Sequence, residues 1–171
     1  MKKHIGFTLI ELMVAVAVVG VVVAIGMPSF GELLKNNRMV TQANAIIASL
    51  QQARSETINR GVSVRIEPLV AGTDWSAGWQ LRIDGSNPSD NDFTDAEDIV
   101  IRSYEALKQS TLIFTSPTST VNNIIYLPDG SVSAAAVLTL IANECTREHK
   151  RVISIKLSGF VWLDPNDKTC P

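Results

Sequence analysis

The residue that first requires a chemical explanation is Glu11, because it is the only formal charge in an apolar run from Phe7 to Met27. As a helix this run would be roughly 31 Å long, close to the hydrocarbon thickness of a bilayer. A carboxylate at such depth costs on the order of 3 kcal/mol and usually has a partner. Glu11 is therefore a candidate contact residue, unless it lies at the membrane edge and extends toward water without a role.

The two cysteines, Cys145 and Cys170, both follow the apolar run. An even count in an exported domain predicts one disulfide, with two free thiols as the alternative. Closing a loop of about 25 residues would contribute roughly 3 to 4 kcal/mol in the chain-entropy model. The bridge would hold the C-terminus against the body of the domain.

Carboxylates are concentrated between Asp84 and Asp98, a density that raises the possibility of calcium binding. The spacing does not match an EF-hand loop, because counting from Asp90 places Asp95 at the glycine position and Ile101 at the glutamate position. We therefore predict a solvated, mobile loop, no metal and no other cofactor.

Catalytic patterns are missing from the sequence. His149 is the only histidine beyond the first few residues, and the chain has neither a Gly-x-Ser-x-Gly motif nor a phosphate-binding glycine loop. We predict that the chain is not an enzyme.

The elements that position these residues are one long helix and a set of strands. Apolar residues recur at threes and fours from Ser29 to Arg60, which predicts that the helix continues from about Phe7 to Arg60 and stops at Gly61. Short alternating or apolar runs follow. The predicted class is α+β, with a long N-terminal helix against an antiparallel head of two packed sheets or one curved sheet. The predicted strands are 62–69, 79–83, 99–101, 112–114, 124–127, 137–142, 152–157 and 160–163, with a turn at 128–130 and a possible hairpin return at 131–133.

Phe160 and Trp162 alternate with Val161 near the end of the chain. Core packing is the simpler interpretation. If the two rings instead face outward, they form an apolar patch suited to another protein surface.

Lys2 and Lys3 precede the apolar run, and no Ala-x-Ala cleavage site follows it. The basic residues should stay in the cytoplasm and direct the C-terminus outward. We therefore predict a single-pass inner-membrane chain with a periplasmic head. Glycines within the run and Pro28 behind it are tolerated in membrane helices, and Pro28 should kink or weaken the helix.

The segment Gly6-Phe7-Thr8-Leu9-Ile10-Glu11-Leu12 resembles the processing site of type IV prepilins. The resemblance implies that prepilin peptidase cuts between Gly6 and Phe7 and methylates the new amino group of Phe7. It also implies that Glu11 pairs with the amino terminus of a neighbouring subunit.

Residues 52–66, together with Asp74-Trp75, Gly78-Trp79 and Pro128-Asp129-Gly130, are similar to minor pilins of the FimT/FimU type and to pseudopilin H of type II secretion. The implied organisation is a leader (1–6), a membrane and assembly helix (7–28), its amphipathic continuation (29–61) and a β-rich head (62–171). The implied function is assembly into a type IV pilus or its tip, and the implied partners are major and minor pilins, prepilin peptidase and the inner-membrane assembly machinery. A secretion pseudopilin is the main alternative.

The same resemblance raises nucleic-acid binding, because some FimT-type pilins capture DNA. The basic cluster Thr146–Arg151 offers Arg147, Lys150 and Arg151, although a turn with solvated charges is the simpler interpretation. From Val62 onward nine Lys/Arg face fourteen Asp/Glu, so the head is net acidic. This balance disfavours a general polyanion surface.

Overall fold

The structure is a computed structural model that describes residues 7–85, 93, 98–117, 122–146 and 148–170, apart from the side chains of 25–29. It contains one helix and eight strands in this part of the chain. The leader 1–6 and Arg147 lie outside the described residues. The elements are α1 (Leu9–Arg60), β1 (Val64–Pro68), β2 (Trp79–Ile83), β3 (Ile99–Tyr104), β4 (Ser110–Thr115), β5 (Ile124–Tyr126), β6 (Ala136–Ala142), β7 (Lys150–Ile155) and β8 (Val161–Leu163).

The helix α1 ends where the sequence predicts. Gly61, at φ 69°, donates its amide to the Thr57 carbonyl at 2.9 Å and turns the chain out of the helix. The helix assignment continues through position 28, and the kink at Pro28 stays a prediction. Two compact units divide the chain, residues 1–37 and residues 38–171.

Eight strands form two antiparallel four-stranded sheets, which confirms the predicted class. The first sheet has the order β3-β2-β1-β5, and the second has the order β4-β6-β7-β8. In both sheets buried residues alternate with more exposed ones along most strands, because successive side chains point to opposite faces. One face of each sheet therefore contributes to the core.

The core of the second unit joins both sheets to the last part of α1. The helix contributes apolar residues at spacings of three and four: Met39, Ala43, Ile46, Leu50 and Ala53. Two hydrogen bonds join the helix to the first sheet: the Ser49 hydroxyl accepts from Trp79 Nε1 at 3.0 Å, and the Thr57 hydroxyl donates to the Tyr126 carbonyl at 3.1 Å. The helix and the sheets therefore share one core.

The turn after β5 forms as predicted. Asp129 accepts hydrogen bonds from the hydroxyl and amide of Ser131 at 2.6 and 2.9 Å, and these bonds lower the pKa of its carboxyl. The hairpin return at 131–133 is reduced to an isolated bridge between Tyr126 and Val132. Burial raises the pKa of Tyr126 well above its ordinary value, so this phenol stays neutral.

The acidic segment departs in part from the solvated loop that the sequence predicts. Asp84, at its start, is buried, and so is Phe93 in its middle. The Arg65 guanidinium lies 4.6 Å from the centre of the Phe93 ring and donates to the Phe93 carbonyl at 3.2 Å. Phe93 thus anchors the segment to the first sheet, whereas the carboxylates Asp90, Asp92, Asp95 and Glu97 lie outside the described residues.

Candidate functional site

The first turn of α1 contains a reciprocal cap between Thr8 and Glu11. The Glu11 amide donates to the Thr8 hydroxyl at 3.3 Å, and the Glu11 carboxylate accepts from the Thr8 amide and hydroxyl, each at 3.5 Å. This is a capping box, in which two helix-terminal donors are satisfied by each other's side chains. A carboxylate at this end also interacts favourably with the helix dipole.

The cap gives Glu11 a partner inside its own chain, which the sequence argument did not consider. The sequence does contain the pattern of a capping box, because Thr8 is followed three positions later by Glu11 at the start of an apolar run. The carboxylate is exposed and remains accessible to a second group. Pairing with the amino terminus of another subunit stays a prediction, as do cleavage after Gly6 and methylation of Phe7.

Large apolar side chains are exposed all along the first part of α1. They are Leu9, Ile10, Leu12, Met13, Val14, Val16, Val18, Val19, Val21, Val22 and Val23, and Phe7, just before the helix, is exposed as well. Within the described residues, no helix has both the length and the unbroken apolarity needed to cross a bilayer. The predicted span 7–28 reaches into positions whose side chains are not described.

The predicted disulfide between Cys145 and Cys170 is present. The tail that precedes Cys170 lies along the beginning of β7, where the Lys150 amide donates to the Lys168 carbonyl at 3.1 Å. Lys150 Nζ forms an ion pair with Asp167 at 2.7 Å. These contacts confirm that the C-terminal tail is held against the second sheet.

The basic cluster differs from the turn with solvated charges that the sequence predicts. Arg151 is buried, and its guanidinium donates to the carbonyls of Glu148 and Lys150 at 2.6 and 2.7 Å. His149 is buried as well. With Lys150 paired to Asp167, the two cations of this cluster that the structure describes are engaged within the head, which disfavours them as phosphate contacts.

The aromatic pair near the C-terminus faces outward. Phe160 and Trp162 are 54% and 45% exposed, so the simpler interpretation of core packing is wrong for both. Val161 between them packs against the core, as the alternation of a strand requires. The head therefore has an exposed aromatic surface at the turn between β7 and β8.

The family model described as "Type II transport protein GspH" matches residues 42–159. The chain belongs to this family. A second model, the prokaryotic N-terminal methylation motif, matches residues 1–27. The two matches together cover the two ends of the helix, without residues 28–41, and most of the head.

A fimbrial protein of Pseudomonas aeruginosa is 30% identical over 113 residues, which cover 65% of this chain and 73% of that protein. Crystal structures of the Pseudomonas aeruginosa type IV minor pilin FimU share the fold, and one superposes with a TM-score of 0.60 at 21% identity over 79% of this chain and 94% of FimU. The Vibrio cholerae minor pseudopilin EpsH of the type 2 secretion system superposes at 0.53, with 14% identity over 76% of this chain and 99% of EpsH.

These matches confirm that the chain is a pilin-type protein of the GspH family with a prokaryotic N-terminal methylation motif, and that it has the fold of FimU. Membership implies a membrane-anchored subunit that assembles with other pilins or pseudopilins in a pilus or pseudopilus.

Proposed function

We propose that this chain is a minor subunit of a type IV pilus that primes assembly or lies at the tip, where it supports motility, adhesion or DNA uptake. Prepilin peptidase removes residues 1–6 and methylates Phe7. The mature chain is then anchored in the inner membrane, with its head in the periplasm. It then leaves the membrane to join the fibre at the cell surface. Its role is assembly, and it catalyses no reaction of its own.

The observation that carries this proposal is the exposed apolar surface from Phe7 to Val23. So much apolar area is costly in water, at about 25 cal/mol per Å², and must be covered by lipid or by other helices. The match to the methylation motif and the similarity to fimbrial proteins favour a pilus, in which the helices of neighbouring subunits bury this apolar surface.

The experiment that tests the proposal compares sheared surface pili from a deletion strain with those from a complemented control. We expect few or no pili on deletion. Normal pili together with lost protein secretion would instead favour the second candidate, a pseudopilin of a type II secretion system, which the GspH model and the EpsH likeness support. Normal pili and normal secretion with lost transformation would favour DNA uptake.

We predict that Glu11→Ala lowers the amount of the chain in sheared pili by about tenfold or more, the factor that corresponds to about 1.4 kcal/mol of lost pairing. The variant loses both the cap and the charge that would meet a neighbouring amino terminus. Immunoblots of the sheared and membrane fractions measure the loss.

Glu11→Gln is the matched variant, because glutamine keeps the acceptor of a capping box but lacks the charge. If pairing between charges drives entry, the glutamine variant fails as badly as the alanine variant. If Glu11→Gln instead enters pili as efficiently as the wild-type chain, the role of Glu11 is limited to capping its own helix.

A further inference from the structure

The loop between β3 and β4 is attached to one side of α1 by polar side chains. The Gln42 side-chain amide donates to the Lys108 carbonyl at 3.1 Å and accepts from the Ser110 hydroxyl at 2.7 Å. One turn earlier on the same face of the helix, the Arg38 guanidinium donates to the side-chain carbonyl of Gln109. Two helix residues thus hold three consecutive loop residues, and these five residues form a polar cluster.

Gln109, in the middle of the polar cluster, has a backbone conformation that glutamine rarely adopts. Its φ is 58°, and it is the only non-glycine residue with a positive φ in the part of the chain that the structure describes. This conformation is strained for an L-residue. The Gln109 carbonyl accepts from the Asn143 amide at 3.1 Å, so the loop is also tied to the end of β6. Such strain is retained only where the surrounding contacts enforce it, and the polar cluster supplies contacts on both sides.

The polar cluster lies where the buried part of α1 begins. The second compact unit starts at Arg38, and Met39 is the first buried helix residue among the described side chains. The next is Ala43, which offers a single methyl group, and larger apolar residues follow from Ile46 onward. Apolar contact between Arg38 and Ile46 therefore comes from one flexible methionine and one methyl group. The polar cluster is a large share of what holds these first two buried turns.

Further along α1 the attachment to the head is of a different kind. The hydrogen bonds from Trp79 to Ser49 and from Thr57 to Tyr126 are buried. Two of the three contacts in the polar cluster are exposed to solvent instead. An exposed hydrogen bond can be exchanged for one with water at little net cost, whereas a buried group that loses its partner pays the full desolvation penalty. The polar cluster can therefore open while the rest of the helix stays attached.

We propose that the polar cluster is a conformational latch, which opens to release residues 38–45 of α1 while the rest of the head stays folded. Opening lengthens the part of α1 that the head does not hold by about two turns. Segments with few buried apolar contacts and solvent-exposed hydrogen bonds open locally, below the free energy of global unfolding. Releasing the loop also lets Gln109 leave its strained conformation, which favours opening. The latch belongs to the single chain and does not depend on the proposed role in a pilus.

Hydrogen exchange of the full-length chain in detergent, read by mass spectrometry, tests the latch. In Gln42→Ala we expect the amides of residues 38–46 to exchange about tenfold faster than in the wild-type chain, because two hydrogen bonds are lost. The amides of residues 50–57 should exchange as before. The direction of the change is decisive, because alanine is the better helix former and would slow exchange if no latch existed.

Gln51→Ala is the matched control, since it makes the same substitution at an exposed position of the same helix. We expect both sets of amides to stay within about twofold of the wild-type chain. Unchanged or slower exchange of residues 38–46 in Gln42→Ala would overturn the inference. Equally faster exchange of residues 38–46 and 50–57 would overturn it as well, because the first turns would then open only with the whole head.

A double-mutant cycle between Arg38 and Gln109 gives a second, independent measurement. Arg38→Ala should speed the exchange of residues 38–46 about fivefold in the wild-type chain, because one hydrogen bond is lost. In a Gln109→Gly background, which keeps the positive φ without strain but lacks the acceptor, the same change should have less than about a twofold effect. Equal acceleration in both backgrounds would refute the contact between Arg38 and Gln109 as part of the latch.

Discussion

Gly159→Ala is expected to destabilise the head by more than about 3 kcal/mol, a loss that only a few named mechanisms produce. Gly159 has φ 73°, a conformation that costs an L-residue roughly 1 to 2 kcal/mol. An added Cβ would also lie 2.0 Å from the Gly130 carbonyl oxygen. Because that obstacle is backbone, the β7–β8 turn and the turn at Gly130 would have to separate by roughly 1 Å or more.

The measurement is urea unfolding of the full chain in detergent, followed by the fluorescence of the buried Trp75 and Trp79. Gly61→Ala is the matched control, because Gly61 has a similar φ of 69° but nothing within 4 Å of the added Cβ. The control should lose only about 1 to 2 kcal/mol, the cost of the backbone conformation alone. Equal losses for the two variants would mean that the contact between the turns contributes nothing.

The second large effect is expected from removing the disulfide. The double variant Cys145→Ser and Cys170→Ser should lower the free energy of unfolding by about 3.5 kcal/mol, from the entropy of a loop with a sequence separation of 25. The tail should also loosen, because its remaining described contacts with β7 include one backbone hydrogen bond and the Lys150–Asp167 ion pair. A partly exposed ion pair of this kind contributes only about 1 kcal/mol.

Urea unfolding with and without reductant measures this effect. Reductant should bring the wild-type chain to the stability of the double variant and leave the variant unchanged, since the sequence has no other cysteine. A loss below about 1 kcal/mol would show that the tail is held by its non-covalent contacts, and that the chain-entropy estimate does not apply.

Much of the fold could be predicted because its signals are local. Apolar residues at spacings of three and four predicted a helix that continues to Arg60, and Gly61 predicted its end. Alternation and turn residues located every strand to within a few residues. The pairing of Cys145 with Cys170 followed from there being only two cysteines.

The sequence by itself determined the family-defining start of the chain, the helix, the strands and the disulfide, because each depends on residues close together or on a simple count. Only the tertiary structure decided which face of each strand is buried by the other elements. It placed Arg151 and Phe93 in buried positions and left Phe160 and Trp162 exposed, the opposite of what their polarity or position suggested. The physical reason is that burial depends on which strands pair and which face meets α1, and these contacts join residues far apart in the chain.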